Sequence, residues 1–536
     1  MYFSTIKTRK FAVILNKLIK GDSEMILSEK VLKDKILGCF NGKNAGGALG
    51  APFECKRGTF PVDYYTQKDI DNNPPANDDL DLQICWLNAI EVYGNKINPS
   101  ILADYWMTYI VPVWSEYGIA KSNLRQGIRP PFSGKINNYF GRSNGAYIRS
   151  EIWACLAPGN PNLAVRYAYM DACVDHESDG VYGEMFFAAL ESAAFVESDK
   201  DKLVEIGLSY IPEDCILRSA ILYAQNCYKT GLDFEDARIK IMTKFPGTFG
   251  VCFEKIKDAD KQFPETNIGD DVVNTIALTI LSWYYGEDDF GKTICLATYC
   301  GEDADCTAAT VGAIMGIIAG NSNLPEKWIK PIGNKINIIC MSSTYAGWLP
   351  KTTDEMAERI IKAIPKILDG KDYDIEGGLK VIAKEGESLY NDDKQLYYQN
   401  GGRDCGTYLF TANEILALKE YSIPEYFDLI KVVIELDKAP YVAEGEEIKL
   451  TIRVRDNGLL KMQQFVNVSV FTENGLTVVG SRNKSVPVHN SFGFESVCEF
   501  TLKAESLVNF DNTVLIHFEI AGRHTNYTSQ IKIFSK

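Results

Sequence analysis

The chain reads as an all-α domain followed by an all-β, immunoglobulin-like sandwich, and three observations predict this. Apolar residues recur at helical spacing from Ser28 to about Leu368. After about Tyr426 the period drops to two. Turn sequences such as Asp456-Asn457-Gly458 and Glu473-Asn474-Gly475 separate the alternating stretches. At 536 residues the chain exceeds what one core ordinarily organises, so more than one domain is expected. The boundaries drawn from the pattern are an N-terminal extension over 1–24, a helical domain over 25–368, a connecting region over 369–425 and a β-sandwich accessory domain over 426–536.

In the helical part, Ile36, Leu37, Phe40 and Ala48 fit one helix that runs into a glycine-rich turn. Leu82 to Tyr93 carries Ile84, Cys85, Leu87 and Ile90 near the helical period. Segments 163–172, 183–195, 272–283 and 307–319 read the same way. In the last of these Gly312, Gly316 and Gly320 recur every four residues, the spacing of a close helix-to-helix approach. Trp114 to Gly134, with Asn123, Gly127, Pro130 and Pro131, reads as a long loop, either a connector or a lid. Downstream, Ile448, Leu450, Ile452 and Val454 alternate with polar residues, as do Val466, Val468 and Val470, and then Val514, Ile516, Phe518 and Ile520. This is the pattern of half-buried antiparallel strands.

Composition narrows the function. A net charge of −15 and a pI of about 5.0 argue against a non-specific nucleic-acid binder or a basic membrane-surface protein. No apolar run reaches membrane-spanning length. Phe11 to Leu15 is too short for a signal-peptide core, and Met25 opens the regular part of the chain, which leaves the true start open. Fourteen cysteines are scattered without a Cys-x-x-Cys pair, the usage of reduced thiols in a cytoplasmic protein. Cys300 and Cys306 lack a second pair or a neighbouring histidine, so a zinc site is not expected.

Two acidic runs carry the chemistry. Asn77-Asp78-Asp79-Leu80-Asp81 and Gly301-Glu302-Asp303-Ala304-Asp305-Cys306-Thr307 each precede a helical segment. Helix capping accounts for one carboxylate in each run, because a single side-chain oxygen satisfies the first-turn N–H groups. Asp78, Asp79 and Asp81, and Asp303 with Asp305, exceed that need. Carboxylates this close repel unless a cation lies between them, and Mg²⁺ or Mn²⁺ is the natural hard partner if the two runs meet. The third feature, Gly42-Lys43-Asn44-Ala45-Gly46-Gly47-Ala48-Leu49-Gly50-Ala51-Pro52-Phe53-Glu54, allows close backbone approach to a ligand or to another helix.

Together these three segments resemble the ADP-ribosylglycohydrolases, the metal-dependent ADP-ribosyl-acceptor hydrolases that include the dinitrogenase-reductase-activating glycohydrolase. The family's G-D-A-L-G-x-P-x-E, T-D-D and D-x-D-T-T-A-A segments are matched by 46–54, by 77–79 and by Asp303-Ala304-Asp305-Cys306-Thr307-Ala308-Ala309, in the same order. Ser143-Asn144-Gly145-Ala146-Tyr147-Ile148-Arg149 is similar to its N-G-A-M-R loop, and His176 stands ahead of an alanine-rich helix as a family histidine does. The resemblance spans roughly residues 30 to 330 and implies an all-α catalytic domain with one or two Mg²⁺ or Mn²⁺ ions. It implies Asn77, Asp78, Asp79, Asp303, Asp305, Cys306 and Thr307 as metal ligands. Catalytic roles fall on Glu54, Asp78 and Asp305, and substrate contacts on Gly46, Asn144, Gly145, Arg149 and His176.

Two positions depart from the family pattern. Cys306 stands where a ligating threonine is expected, which alters one metal site, and Gly47 replaces an aspartate. The activity implied is hydrolysis of a glycosidic bond between ADP-ribose, or a related ribosyl group, and a protein or small-molecule acceptor, through metal-activated water and a carboxylate. A non-catalytic ADP-ribose-binding or structural relative, and an enzyme acting on a nucleoside or sugar conjugate, are the alternatives.

Overall fold

The structure is a computed structural model that describes residues 24–68, 70–247, 252–256, 266–268, 270–342, 347–391, 409–457, 460, 463–473, 475–489, 494–507 and 509–536. The expected N-terminal extension lies outside the described residues except for Glu24. Gly401-Gly402-Arg403 of the expected connecting region, and Gly458 and Asn474 of the two turn sequences, also lie outside them. The chain divides into two compact units. The first takes Met1–Lys96, Ser143–Ala168 and Tyr182–Asn391, and the second Ile97–Arg142, Tyr169–Val181 and Asp392–Lys536.

Helices α1 (Glu29–Gly50), α2 (Asp78–Tyr93), α3 (Glu151–Leu156), α4 (Val272–Tyr285), α5 (Ala304–Ala319) and α6 (Thr353–Ile367) organise the first unit. The α1 helix starts at Ser28, whose hydroxyl accepts the Val31 N–H at 3.4 Å. Residues 304–317 of α5 are all buried, as expected of a helix that is apolar on every side.

The tightest packing in the unit is between α1 and α5, which run antiparallel. Gly38, Gly42, Gly46 and Gly50, one every four residues, face Gly316, Gly312, Ala308 and Ala304 in turn. A methyl group on any of the four α1 glycines would strike the carbonyl oxygen of its partner. The expected close approach at Gly312 and Gly316 is therefore met by a glycine row on α1. Gly320 has a different role: it is the left-handed residue after the last turn of α5, with φ of 77°.

The helical part also carries a small sheet. Glu24–Ser28 pairs antiparallel with Lys380–Lys384, which pairs with Tyr373–Asp374. Cys252–Ile256 and Thr266–Ile268 form a second short pair. The first unit is thus helical with minor strands rather than all-α. Short strands at the margins, such as Glu24–Ser28 with Met25 and Ile26 exposed, carry too little alternation to be read from sequence.

The second unit contains the C-terminal β region. One five-stranded sheet orders Asn483–Val488, Gln464–Thr472, Asp511–Ile520, Asn526–Ser535 and Tyr441–Val442. The other orders Leu476–Val479, Ser496–Ala504, Glu447–Asp456, Ile430–Leu436 and Ser422–Tyr426. Pairing is antiparallel except where Asn526–Ser535 meets Tyr441–Val442. Val466, Val468 and Val470 lie opposite Ile520, Phe518 and Ile516, and both sheets bury the predicted alternating faces in one cluster.

That cluster also takes in Ile128, Phe132 and Ile136. Arg129, next to them in sequence, makes a two-pronged pair with Glu425 at 2.7 and 3.0 Å. The stretch read as a loop from Trp114 to Gly134 holds a helix, Ser115–Arg125, and a helical turn beginning at Phe132. Lys121 is buried there and donates to the carbonyls of Ile110 and Pro112. Gly127, Pro130 and Pro131, which suggested a loop, occupy only the short link between that helix and the helical turn.

The α1–α5 contact makes a direct prediction. Gly42→Ala or Gly312→Ala should lower stability by about 1–3 kcal/mol or more, because the obstructing atoms are backbone carbonyls that cannot rotate away. Gly370→Ala, which has open space around it, should be near neutral in the same chemical-denaturation measurement.

Candidate active site

The α1–α5 contact delivers both ends of the site. Residues Ala51–Phe53 continue from α1 in a tight turn, and Glu54 follows. The chain then forms a bridge in which Glu302 N–H donates to the Lys56 carbonyl at 2.8 Å. Arg57 clamps the Glu302 carboxylate with bonds of 2.6 and 2.9 Å, and both side chains are fully buried. Gly301 and Glu302 both have positive φ, 69° and 60°. For glutamate this conformation costs about 1–3 kcal/mol, and the Arg57 clamp holds it. The reversal places Asp303 at the head of α5, where it makes no side-chain capping bond.

The first acidic run arrives on α2. Asn77 is the cap: its side-chain oxygen accepts the Asp79 N–H at 2.8 Å. Its amide nitrogen donates to Asp305 Oδ2 at 3.3 Å, and Cys306 Sγ lies 3.5 Å from Asp79 Oδ1. The two acidic runs therefore face each other. Carboxylate oxygens of Glu54, Asp303 and Asp305 lie within 4.8 Å of one another, and so do ligand atoms of Asp79, Asp305 and Cys306. Asp305 belongs to both groups. Asp78 is half-buried and close enough for its charge to act on Glu54.

Electrostatics follow from this crowding. Glu54 reaches solvent, yet partial desolvation and the charges of Asp303 and Asp78 push its carboxyl up to about 7. Burial, then Asp303 and Glu54, drive the Asp305 carboxyl well above its ordinary range. Burial raises Asp79 likewise, opposed by Lys43, and burial with nearby carboxylates raises the Cys306 thiol. Asp303 Oδ1 and Asp305 Oδ1 are buried without hydrogen-bond partners among the described residues. Orphaned buried oxygens on two adjacent carboxylates are a donor set that fits a hard divalent cation.

Other predicted residues are engaged differently. Asn144 donates to Asp303 Oδ2 at 2.6 Å and fixes that carboxylate. Arg149 is fully buried; it donates to the Gly145 carbonyl at 2.8 Å and lies 3.9 Å from Glu184, so it braces the Gly145 loop from within. Gly46 is packed against Ala308, which accounts for the missing side chain. Thr307 donates back to the Ala304 carbonyl at 3.2 Å. Asp81 accepts the N–H groups of Ile339 and Cys340 at 2.7 and 2.6 Å, so it anchors a loop. His176 belongs to the second unit, buried with Nδ1 2.9 Å from Asp175 and Nε2 3.9 Å from Glu116.

Sequence reasoning missed several supporting residues. Lys43, inside the glycine-rich segment, is buried between Glu151 at 2.7 Å and Asp79 at 3.6 Å. Gln83, one turn after Asp79, donates to Glu151 Oε2 at 2.8 Å and to the Asp79 carbonyl at 2.7 Å. Lys43 as the one charged residue between Gly42 and Phe53 was the available signal, because such a charge requires a buried acid. Asp270 is also buried, its carboxyl pushed up to about 7 by burial and by Asp303, and its carbonyl accepts the Asn144 N–H at 2.8 Å. The Asp270-Asp271 pair just ahead of α4 is a third acidic run of the same kind as the two that were read.

The model of the ADP-ribosylglycohydrolase family matches residues 28–366, and the chain belongs to that family. An uncharacterized protein of Archaeoglobus fulgidus is similar at 24% identity over 220 residues, which is 40% of this chain and 60% of that protein. The chain thus spans less than two thirds of the length of the curated relative it matches. A solved ADP-ribosylglycohydrolase-related protein complex is similar at 19% identity and a TM-score of 0.41, over 63% of this chain and all of the other. The alpha-2-macroglobulin of Escherichia coli, from domain MG7 to its C-terminus, is similar over 20% of this chain and 16% of its own, at 18% identity and a TM-score of 0.17.

Lys43→Met removes the only cation in contact with both Glu151 and Asp79 among the described residues, and should cost about 3–5 kcal/mol. Replacing Glu151 by Met in the same chain should recover part of the loss. Denaturant unfolding of both variants measures this.

Proposed function

We propose that the protein is a metal-dependent hydrolase that cleaves the glycosidic bond between ADP-ribose, or a related ribosyl group, and a protein or small-molecule acceptor. The observation that carries this reading is the convergence of Glu54, Asp303 and Asp305 within 4.8 Å at the meeting of two remote acidic runs. Family membership over residues 28–366 supports it. Asp78, Asp79, Asp303 and Asp305, with Asn77, are the residues that would hold Mg²⁺ or Mn²⁺; the Cys306 sulfur, although beside them, suits neither ion well. Thr307 is the weakest of the expected ligands, because its hydroxyl turns to its own helix backbone. A divalent cation here supplies Lewis acidity and an acidified water to the reaction.

The chain's own groups do the rest. Glu54, with a carboxyl near 7, exchanges a proton at neutral pH and stabilises positive charge as the bond to the ribose breaks. Asn144 keeps Asp303 oriented. Backbone N–H groups of the Gly145 loop, braced by Arg149, receive the diphosphate. Lys43 offsets the charge of Asp79 behind the site. Asp78 and Asp305 complete the catalytic set.

The C-terminal sheets are read as an immunoglobulin-like accessory sandwich. Twelve described cysteines are free thiols, which supports a cytoplasmic setting. No helix among the described residues is long and apolar enough to cross a membrane.

The test uses ADP-ribosylated peptide with Mg²⁺ or Mn²⁺, following release of ADP-ribose. Chelation or Asp303→Ala should abolish release, and Glu54→Gln should lower kcat by about 10²–10⁴-fold. Full activity of Asp303→Ala overturns the reading. Tight binding of ADP-ribose without turnover under any metal converts it to that of a binding protein.

A further inference from the structure

The two ligand groups that share Asp305 are chemically unequal. On one side stand Glu54, Asp303 and Asp305, which offer oxygen alone. On the other stand Asp79, Asp305 and Cys306, which offer two carboxylates and a sulfur. Cys306 is 6% exposed and Asp79 1%, so this second face is shut off from bulk water. The thiol points at the acid: Sγ is 3.5 Å from Asp79 Oδ1. The neighbouring hydroxyl offers no replacement, because Thr307 bonds to the Ala304 carbonyl.

An independent observation points to a ligand. Asp305 is 5% exposed; its Oδ2 receives the Asn77 amide, and its Oδ1 has no hydrogen-bond partner among the described residues. The second Asp79 oxygen has no hydrogen-bond partner either, with Lys43 3.6 Å away and itself paired to Glu151 at 2.7 Å. One shared ammonium leaves these carboxylates under-compensated.

We propose that Asp79, Asp305 and Cys306 form a mixed oxygen–sulfur subsite for a borderline divalent cation, Zn²⁺ or Co²⁺ in place of Mg²⁺, beside an all-oxygen subsite on Asp303 and Asp305 for a hard cation. Thiolate sulfur prefers such ions, whereas carboxylates alone suit Mg²⁺ and Mn²⁺. On coordination the Cys306 thiol loses its proton to solvent. The inference rests on the metal-binding part of the function proposed above and does not depend on the substrate.

The full-length protein, freed of metal by chelation and dialysis, is titrated with Co²⁺ and read by its near-ultraviolet thiolate-to-cobalt absorption. The wild type should show the band. Cys306→Ser and Cys306→Thr should lose it, and Cys55→Ser, which alters the other thiol near the site, should keep it. Loss of an outer-sphere partner alone weakens metal binding about 10–100-fold, so loss of the ligand should weaken Zn²⁺ about 100-fold or more. Binding of Mn²⁺, followed by its paramagnetic resonance, should change only slightly in the same variants. Absence of the band from wild type saturated with Co²⁺, or its persistence in both Cys306 variants, overturns the subsite. A band in a protein that releases no ADP-ribose supports the subsite and removes the hydrolytic reading. Release supported by Mn²⁺ in a wild type without the band does the reverse.

Discussion

Everything in the first unit depends on how closely two helices pass. The row of glycines on α1 removes every side chain that would hold α5 away, and the carbonyls of Gly312, Gly316, Ala308 and Ala304 fill the space. Because the helices run antiparallel, the C-terminal end of one lies beside the N-terminal end of the other. Glu54 leaves the first end and Asp303 stands at the second. A side chain of ordinary size in the seam would part them, and the carboxylates would no longer share one volume.

Close approach alone would not keep like charges together. The rest is done by groups that bond to the acids or to their immediate neighbours. Arg57 holds Glu302 in a left-handed conformation one residue before Asp303. Asn144 holds Asp303, and Asn77 ties the head of α2 to Asp305. Lys43 and Gln83 bind Glu151 behind Asp79. Each fixes a carboxylate through a direct bond or through that carboxylate's neighbour, so the acids are positioned before any ligand arrives.

Much of this was legible in the chain. Surplus aspartates beyond the needs of capping marked both acidic runs, and the switch from helical period to alternation marked the sheets, because burial imposes both patterns locally. Glycine spacing at Gly312 and Gly316 gave the close contact but not its partner, which only the register along Gly38–Gly50 defines. Arg149 was read as a substrate contact, because a basic residue beside a glycine loop has no local sign of burial. Its partner Glu184 lies 35 positions away in the sequence (184 − 149), beyond any local pattern. Glu302 was passed over for the same reason: its partner Arg57 is far off in sequence, and its unusual backbone leaves no compositional trace.

The cluster that gathers Ile128, Phe132 and Ile136 with the strand residues has a consequence for how the gene can be divided. These three side chains come from the stretch matched by the family, yet their cover comes from the far C-terminal end. A fragment stopped ahead of Ser422 would leave them wet and would strand Arg129 without Glu425. The sheets are therefore not a passenger that can be trimmed away. They finish a fold begun three hundred residues earlier (425 − 129 = 296), and loss of the tail should be felt as insolubility of the fragment.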